Sequence, residues 1–338
     1  MKPCEQLFDA GRFPRDEATT ERSNLGAQRG GSVIEADVKI TRDQHVWSFD
    51  AQCEPVVVVE PGTVIEIETW DCFTGQVQSE EDTLEKLDLT RVNSATGPIG
   101  VHGAEPGDTL SVTLLDIRPS AQGAAMCIPG WGQLINEVTS PTTRIFKVAN
   151  GVVTMNDRVS FPAQPMFGVI GVSPESGKIS TFMAGRHGGN LDDHVNGIGA
   201  TVHLPVFQSG AQLAIGDMHA SMGDGEISGT GVEIGGTGLI KVELIKRKQS
   251  QWPITETEAA FFTHGTSPDS IDDALQHACE EAFKILVDEW SFSREDAFIF
   301  LSVACDLGIA AYYHPSPGCV TARLRVPKLP SNPAPFRP

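Results

Sequence analysis

The sequence predicts a mainly β protein: two packed β-sandwich or barrel-like units with a small helical insertion near the C-terminus. Three observations carry this. Glycine (34) and proline (22) both exceed ordinary usage, as a chain with many turns requires. Short apolar runs recur between the turns, several with period-two alternation. Long helical patterns are nearly absent before residue 255. The expected divisions are an N-terminal arm over 1–30, a first β unit over 31–160, a second over 161–250 that carries the site, and a helical insertion with a closing strand over 251–338.

The elements follow in order. Residues 1–30 are polar and charged and read as a lead-in or arm. Val46 to Phe49 and Pro55 to Glu60 carry β-branched and aromatic residues ahead of Pro61-Gly62, a turn dipeptide. Val64 and Ile65 are followed by strict alternation to Thr69, the pattern of a strand with one buried face. The same grammar returns at the turn Pro106-Gly107-Asp108, followed by alternation from Leu110 to Ile117. Residues 119–160 read as a loop-rich connection around Gly130-Trp131-Gly132. From Pro165 to Lys246, short apolar runs among glycines predict the strands of the second unit.

After Thr255 the character changes. Ser270 precedes a helical pattern, with Asp272 and Asp273 in the first turn complementing the helix dipole. Leu275, Ala278, Ala282, Ile285 and Leu286 recur at helical spacing. Ser293 with Asp296 opens a second helix, expected from Ala297 to about Leu307. A closing strand is expected from Cys319 to Val326, before Pro327.

Charge narrows the function. Lys plus Arg is 25 against 44 Asp plus Glu, a formal net charge of -19. Such an excess argues against nucleic acid, whose phosphates need basic patches, and against an anionic membrane surface. No stretch approaches the roughly 18–20 apolar residues of a membrane helix. Met1 to Gly30 has no apolar segment of a signal peptide. The cysteines are odd in number (7) and never form a CxxC pair, so neither a disulfide framework nor a thiolate zinc site is expected. A cytoplasmic location fits best.

The chemistry concentrates between 187 and 233. Gly185-Arg186-His187-Gly188-Gly189-Asn190-Leu191-Asp192-Asp193-His194 and Gly216-Asp217-Met218-His219 supply imidazole and carboxylate together. Asp224, Glu226 and Glu233 follow. Imidazole plus carboxylate without thiolate suits zinc in an open catalytic site, and surplus carboxylates suit calcium. The pair His187 and His219, each flanked by glycine and acid, carries this reading. His203, in the apolar run Thr201 to Val206, reads as a packed histidine, and Asp193 is as readily solvated as bound. Cys72, directly after Asp71, reads first as a small buried residue. No Gly-x-Ser-x-Gly elbow and no phosphate loop is present.

These residues carry a resemblance. Thr69-Trp70-Asp71, Gly75-Gln76-Val77, Val92-Asn93-Ser94-Ala95-Thr96-Gly97-Pro98-Ile99, Gly103-Ala104-Glu105-Pro106-Gly107-Asp108, His187 to Asp192, Leu204-Pro205-Val206 and Gly216 to Glu226 occur in this order over about residues 45–245. In this the chain resembles the metal-dependent acetamidase/formamidase family. The resemblance implies a two-part β-sandwich with a small helical insertion, hydrolysis of short carboxamides to carboxylate and ammonia, a divalent metal with zinc foremost and calcium the other candidate, and a homodimer or higher homo-oligomer. One departure is His102, where the family usually shows a glutamate; a place near metal or substrate would alter amide preference.

The resulting assignment makes His187, Asp192 and His219 metal ligands, with Asp71 as the fourth. Zinc would polarise the amide carbonyl and lower the pKa of its water to roughly 7. Glu226 is the general base and acid, and Asn190 or a backbone amide at Gly188-Gly189 steadies the oxyanion. Two rivals stand beside this reading: a non-catalytic calcium-binding β-sandwich module, and a hydrolase of another non-peptide C–N bond.

Overall fold

Alternation becomes burial in the strand Val64–Thr69, where Ile65, Ile67 and Thr69 turn inward and Glu68 faces water. The computed structural model describes residues 34–312, 320–332 and 335–336. The expected arm over 1–30 lies outside them. Val64–Thr69 belongs to a nine-stranded sheet. Its order is Val38–Ile40, Val64–Thr69, Gly236–Ile245, Thr109–Pro119, Thr201–Pro205, Ile254–Glu256, Ala260–Ser267, Val320–Pro327 and Asp306–Tyr312. Strands from 31–160, 161–250 and 251–338 thus share one sheet.

A second sheet runs Ala184–Gly185, Gly188–Asn190, Met166–Gly171, Leu213–His219, Ala95–Val101 and His45–Val46. Val57–Val59 also pairs with Ala95–Val101. The two sheets close on one core, to which Ile65, Ile67 and Leu114 contribute from the first and Phe167, Ile170 and Ile215 from the second. Met166–Gly171 and Leu213–His219 are buried along their whole length. They read as continuous rather than alternating runs because both faces are covered. A four-stranded sheet over Gln122–Cys127, Thr142–Ala149, Val152–Asn156 and Val159–Pro162 occupies the segment expected as a loop-rich connection, and Ser48–Asp50 pairs with Lys178–Ser180 in a two-stranded sheet. The chain is mainly β, and among the described residues its sheets are open rather than closed barrels.

Two helices cover one end of the large sheet. Helix α1, Ile271–Asp288, begins where Ser270 Oγ accepts the Asp273 N–H at 3.1 Å. It buries Ala274, Ala278, Ala282, Ile285 and Leu286 against a second core with Phe261 and Leu324. Helix α2, Arg294–Ala304, begins earlier than expected, because Ser293 is the N-cap and accepts from Asp296 N at 3.0 Å. It also ends earlier. Leu307 lies in the strand Asp306–Tyr312, which pairs with Val320–Pro327. An apolar run of this length satisfies either period, and pairing with the closing strand decides it. Among the described residues no helix is long and apolar enough to cross a membrane.

Candidate active site

The site begins at an interruption in the ladder between Met166–Gly171 and Leu213–His219. Pairing runs in register from Met166–His219 to Gly171–Ala214 but omits Gly168 and Asp217. Asp217 adopts a left-handed backbone there, φ +51°. The Gly168 carbonyl instead accepts the Asp192 N–H at 3.2 Å. A Cβ on residue 168 would overlap Asp192 Oδ1 and lie 2.8 Å from Asp217 Oδ2. Glycine is what lets these two carboxylates converge.

His219, two residues beyond Asp217, completes the pattern. Its Nε2 lies 3.1 Å from Glu233 Oε2, 3.5 Å from Asp217 Oδ1 and 4.0 Å from Asp192 Oδ1. Glu233 reaches it through an isolated antiparallel bridge between the two backbones, and Gly231 N–H donates to its Oε1 at 2.8 Å. Glu226 belongs to the same cluster: ligand atoms of His219, Glu226 and Glu233 lie within 4.8 Å of one another. Asn190 Nδ2 donates to Asp192 Oδ2, and Asn93 Nδ2 donates to Asn190 Oδ1 at 2.8 Å.

Asp192 (φ +41°), Asp217 (φ +51°) and Glu226 (φ +41°) all hold left-handed backbones. Each such position costs on the order of 1–3 kcal/mol and persists only where its surroundings over-determine it. Three in one cluster of converging carboxylates make it the candidate functional site.

Burial and charge act together here. Burial, then the Asp192 charge, pushes the Glu226 carboxyl well above the usual range. Burial and Asp217 raise Glu233 to about 8 against the pull of His219. Burial would lower the His219 imidazole, but Glu233 and Asp217 more than reverse this and hold it well above its ordinary value. Asp192, Asp217, Glu226 and Glu233 thus surround a single buried imidazole. Buried polar and charged groups need partners, and four carboxyl groups here share one imidazole. Oxygen donors with one imidazole nitrogen fit a divalent cation.

Asp192, Asp217, Glu226 and Glu233 line a cavity of about 400 Å³, bounded also by Cys72, Trp131 and Phe182. That volume lies within the range of small-molecule sites. Burial and the neighbouring Asp217 and Glu233 charges push the Cys72 thiol well above its ordinary value, so it stays protonated.

Asp192, His219, Glu226 and Asn190, all selected from the sequence, therefore meet. The others lie apart. Asp71 Oδ1 accepts from Phe73 N at 2.9 Å and Oδ2 from Gly75 N at 3.0 Å, capping its own turn. It lines an adjoining cavity that shares Glu233. His187 occupies the turn between Ala184–Gly185 and Gly188–Asn190, its ring packed edge-on against Phe49 at 4.9 Å. Burial lowers its pKa to about 4, and it belongs to none of the clusters. His102 sits on the surface, its side chain 71% exposed and its Nδ1 3.2 Å from Glu60 Oε2. That pairing places it in the turn after Ala95–Val101, away from the cavity lining. His203 is buried against Ser111, with Nδ1 2.9 Å from the hydroxyl.

Asp217 and Glu233 receive no role from the sequence, although both belong to its acidic inventory. The Asp217-x-His219 spacing on a strand was the available signal for the first, since alternate residues share a face. Glu233 is recruited by tertiary pairing, which leaves no local signature.

An open, mainly β fold in which Asp217 and His219 of one central strand meet the carboxylates of Asp192, Glu226 and Glu233 beside a cavity suits a hydrolase. The chain belongs to the acetamidase/formamidase family, whose sequence profile matches residues 37–182 and 175–328. The crystal structure of an acetamidase from Bacillus halodurans superposes with a TM-score of 0.83 at 37% identity, covering 86% of this chain and 97% of that one. A predicted acetamidase/formamidase from Thermoanaerobacter tengcongensis gives 0.83 at 36% identity, over 86% and 95% of the two chains. A formamidase from Methylophilus methylotrophus is 26% identical over 79% of this chain and 86% of its own.

Proposed function

We propose that this amidohydrolase cleaves short linear carboxamides, of the formamide and acetamide class, to carboxylate and ammonia with the help of a divalent cation, zinc foremost. The observation that carries the reading is the convergence of Asp192, Asp217, Glu226 and Glu233 on His219. Asp192, Asp217, His219 and Glu233 would hold the cation. When bound, it supplies Lewis-acid polarisation of the amide carbonyl.

The chain's own residues do the rest. Glu226 takes the proton of the attacking water as its oxygen bonds the carbonyl carbon. It then delivers that proton to the nitrogen as the C–N bond breaks, so that ammonia leaves. Its raised proton affinity suits the second step, and a bound cation would lower it toward what the first requires. Asn190 acts on Asp192, fixing its Oδ2, while Asn93 fixes Asn190 in turn. Trp131 and Phe182 narrow the cavity around the reacting group.

An imidazole at the centre of the cluster weighs against a calcium-only binding module. Hydrolysis of another C–N bond, as in a cyclic amide or formylated amine, uses the same residues. Homo-oligomer formation and a cytoplasmic location complete the proposal and rest on the family and on composition. The test is ammonia release from formamide, acetamide, a longer linear amide, a cyclic amide and a formylated amine, with and without chelator. Turnover of the short linear amides, abolished by chelator, supports the reading. Turnover of the cyclic amide or formylated amine alone transfers the site to the other C–N bond.

A further inference from the structure

A second polar cluster lies beside the first and takes no part in the chemistry described. Asp193, fully buried, follows Asp192 directly. Its Oδ2 lies 3.0 Å from His264 Nε2, and its Oδ1 accepts from Arg323 Nη1 at 2.7 Å. His264 and Arg323 are direct cross-strand partners in Ala260–Ser267 and Val320–Pro327. One cross-strand pair of the nine-stranded sheet thus grips the residue after Asp192.

The second amino group of the guanidinium reaches elsewhere. Arg323 Nη2 donates to Asp224 Oδ2 at 2.7 Å, and Asp224 Oδ1 lies 2.8 Å from His194 Nδ1. Asp224 stands two residues before Glu226. The same turn is tied to the neighbouring strand, where Gly225 N–H donates to the Ala310 carbonyl at 2.8 Å and Tyr312 N–H to the Gly225 carbonyl at 3.3 Å. Asp192 and Glu226 both hold φ +41°, and their turns are both anchored from the C-terminal strands of the nine-stranded sheet. A guanidinium has a rigid planar fork, whereas an ammonium is a point donor on a flexible stem.

We propose that Arg323 is a positioning residue. Its two amino groups set the spacing between the Asp192 turn and the Glu226 turn, so that cation ligand and proton-transfer carboxylate address one substrate. This rests on the roles given to Asp192 and Glu226 above. A displacement of about 1 Å far from the reacting atoms can cost roughly 100-fold in rate.

The test compares Arg323→Met, Arg323→Lys, Asp224→Asn and the double variant Arg323→Met/Asp224→Asn in the full chain. The readouts are kcat and KM for a turned-over amide, metal content, and hydrogen exchange of peptides covering 189–194 and 222–229. Arg323→Met is expected to lower kcat about 10- to 100-fold with KM within about twofold, and to speed exchange in both peptides but not in 64–69. Arg323→Lys recovers only part of the rate. Asp224→Asn loosens 222–229 alone, and the double variant is no slower than Arg323→Met, because Asp224 acts through Arg323. A folded Arg323→Met with wild-type kcat, or exchange that rises evenly everywhere, overturns the proposal. Should Arg323→Met not fold, Asp224→Asn decides: wild-type kcat with unchanged exchange in 222–229 overturns it. A wild-type chain without amidase activity defeats the functional reading, while the exchange pattern still tests the clamp.

Discussion

His219 and Glu233 are joined twice: their backbones form an antiparallel bridge, and the imidazole Nε2 lies 3.1 Å from the carboxylate Oε2. The bridge fixes where the glutamate enters, and the side chains then share the cluster with Asp217. Glu233→Gln keeps the shape and removes the charge. Loss of even an outer partner of a metal ligand typically costs about 10- to 100-fold in affinity. The variant is therefore expected to bind zinc at least about tenfold more weakly, as measured by competition with a chromophoric chelator. Unchanged affinity would remove Glu233 from the ligand set.

Glu226→Gln separates proton transfer from cation binding. The rate of ammonia release is expected to fall about 100- to 10,000-fold, the usual contribution of general acid–base catalysis. Metal content should equal that of the wild type. Loss of metal instead would make Glu226 a ligand, and the proton carrier would lie elsewhere.

Gly168→Ala tests the close approach beneath Asp192 and Asp217. The added methyl would occupy space taken by Asp192 Oδ1, with Asp217 Oδ2 2.8 Å away. Both carboxylates must shift, so zinc affinity and kcat/KM are expected to fall together, kcat/KM by roughly 100-fold. Thermal unfolding should show a folded protein. Normal affinity would mean that the two carboxylates need not converge.

Stability above about pH 4 has a separate source in Asp108. Burial works to raise its carboxyl, but Lys246 at 2.5 Å and the backbone N–H groups of Arg247 and Glu105 hold it below its ordinary value. A depressed carboxyl stabilises the fold above its unfolded pKa of about 3.9, and that stabilisation disappears as pH falls through the lower folded value. Asp108→Asn is expected to cost about 1–3 kcal/mol at pH 7 in denaturant unfolding. The difference from wild type should shrink below about pH 4. A difference that persists undiminished there would assign the effect to packing.

Much of this was legible in the residues, for identifiable reasons. Alternation over Val64–Thr69 and the caps Ser270 and Ser293 are local signals, and local backbone physics reads them directly. Asn190, Asp192, His219 and Glu226 stood out because glycine-rich turns and polar donors coincide. What escaped is tertiary. The His187 ring packs on Phe49 because its residue fills a two-residue hairpin turn, a placement that composition does not encode. His102 pairs with Glu60 across 42 residues, and Arg323 grips Asp193 across 130. Such partners are chosen by sheet order, and a sequence read along its length does not display it.

The most direct test is a metal titration coupled to turnover. Protein stripped by dialysis against a strong chelator is assayed for ammonia release from formamide and acetamide while zinc is added back, with bound metal measured at each step. Stripped protein should be silent, and activity should return in proportion to bound metal until the site is filled. Full ammonia release from protein carrying no measurable metal would contradict a cation held by Asp192, Asp217, His219 and Glu233.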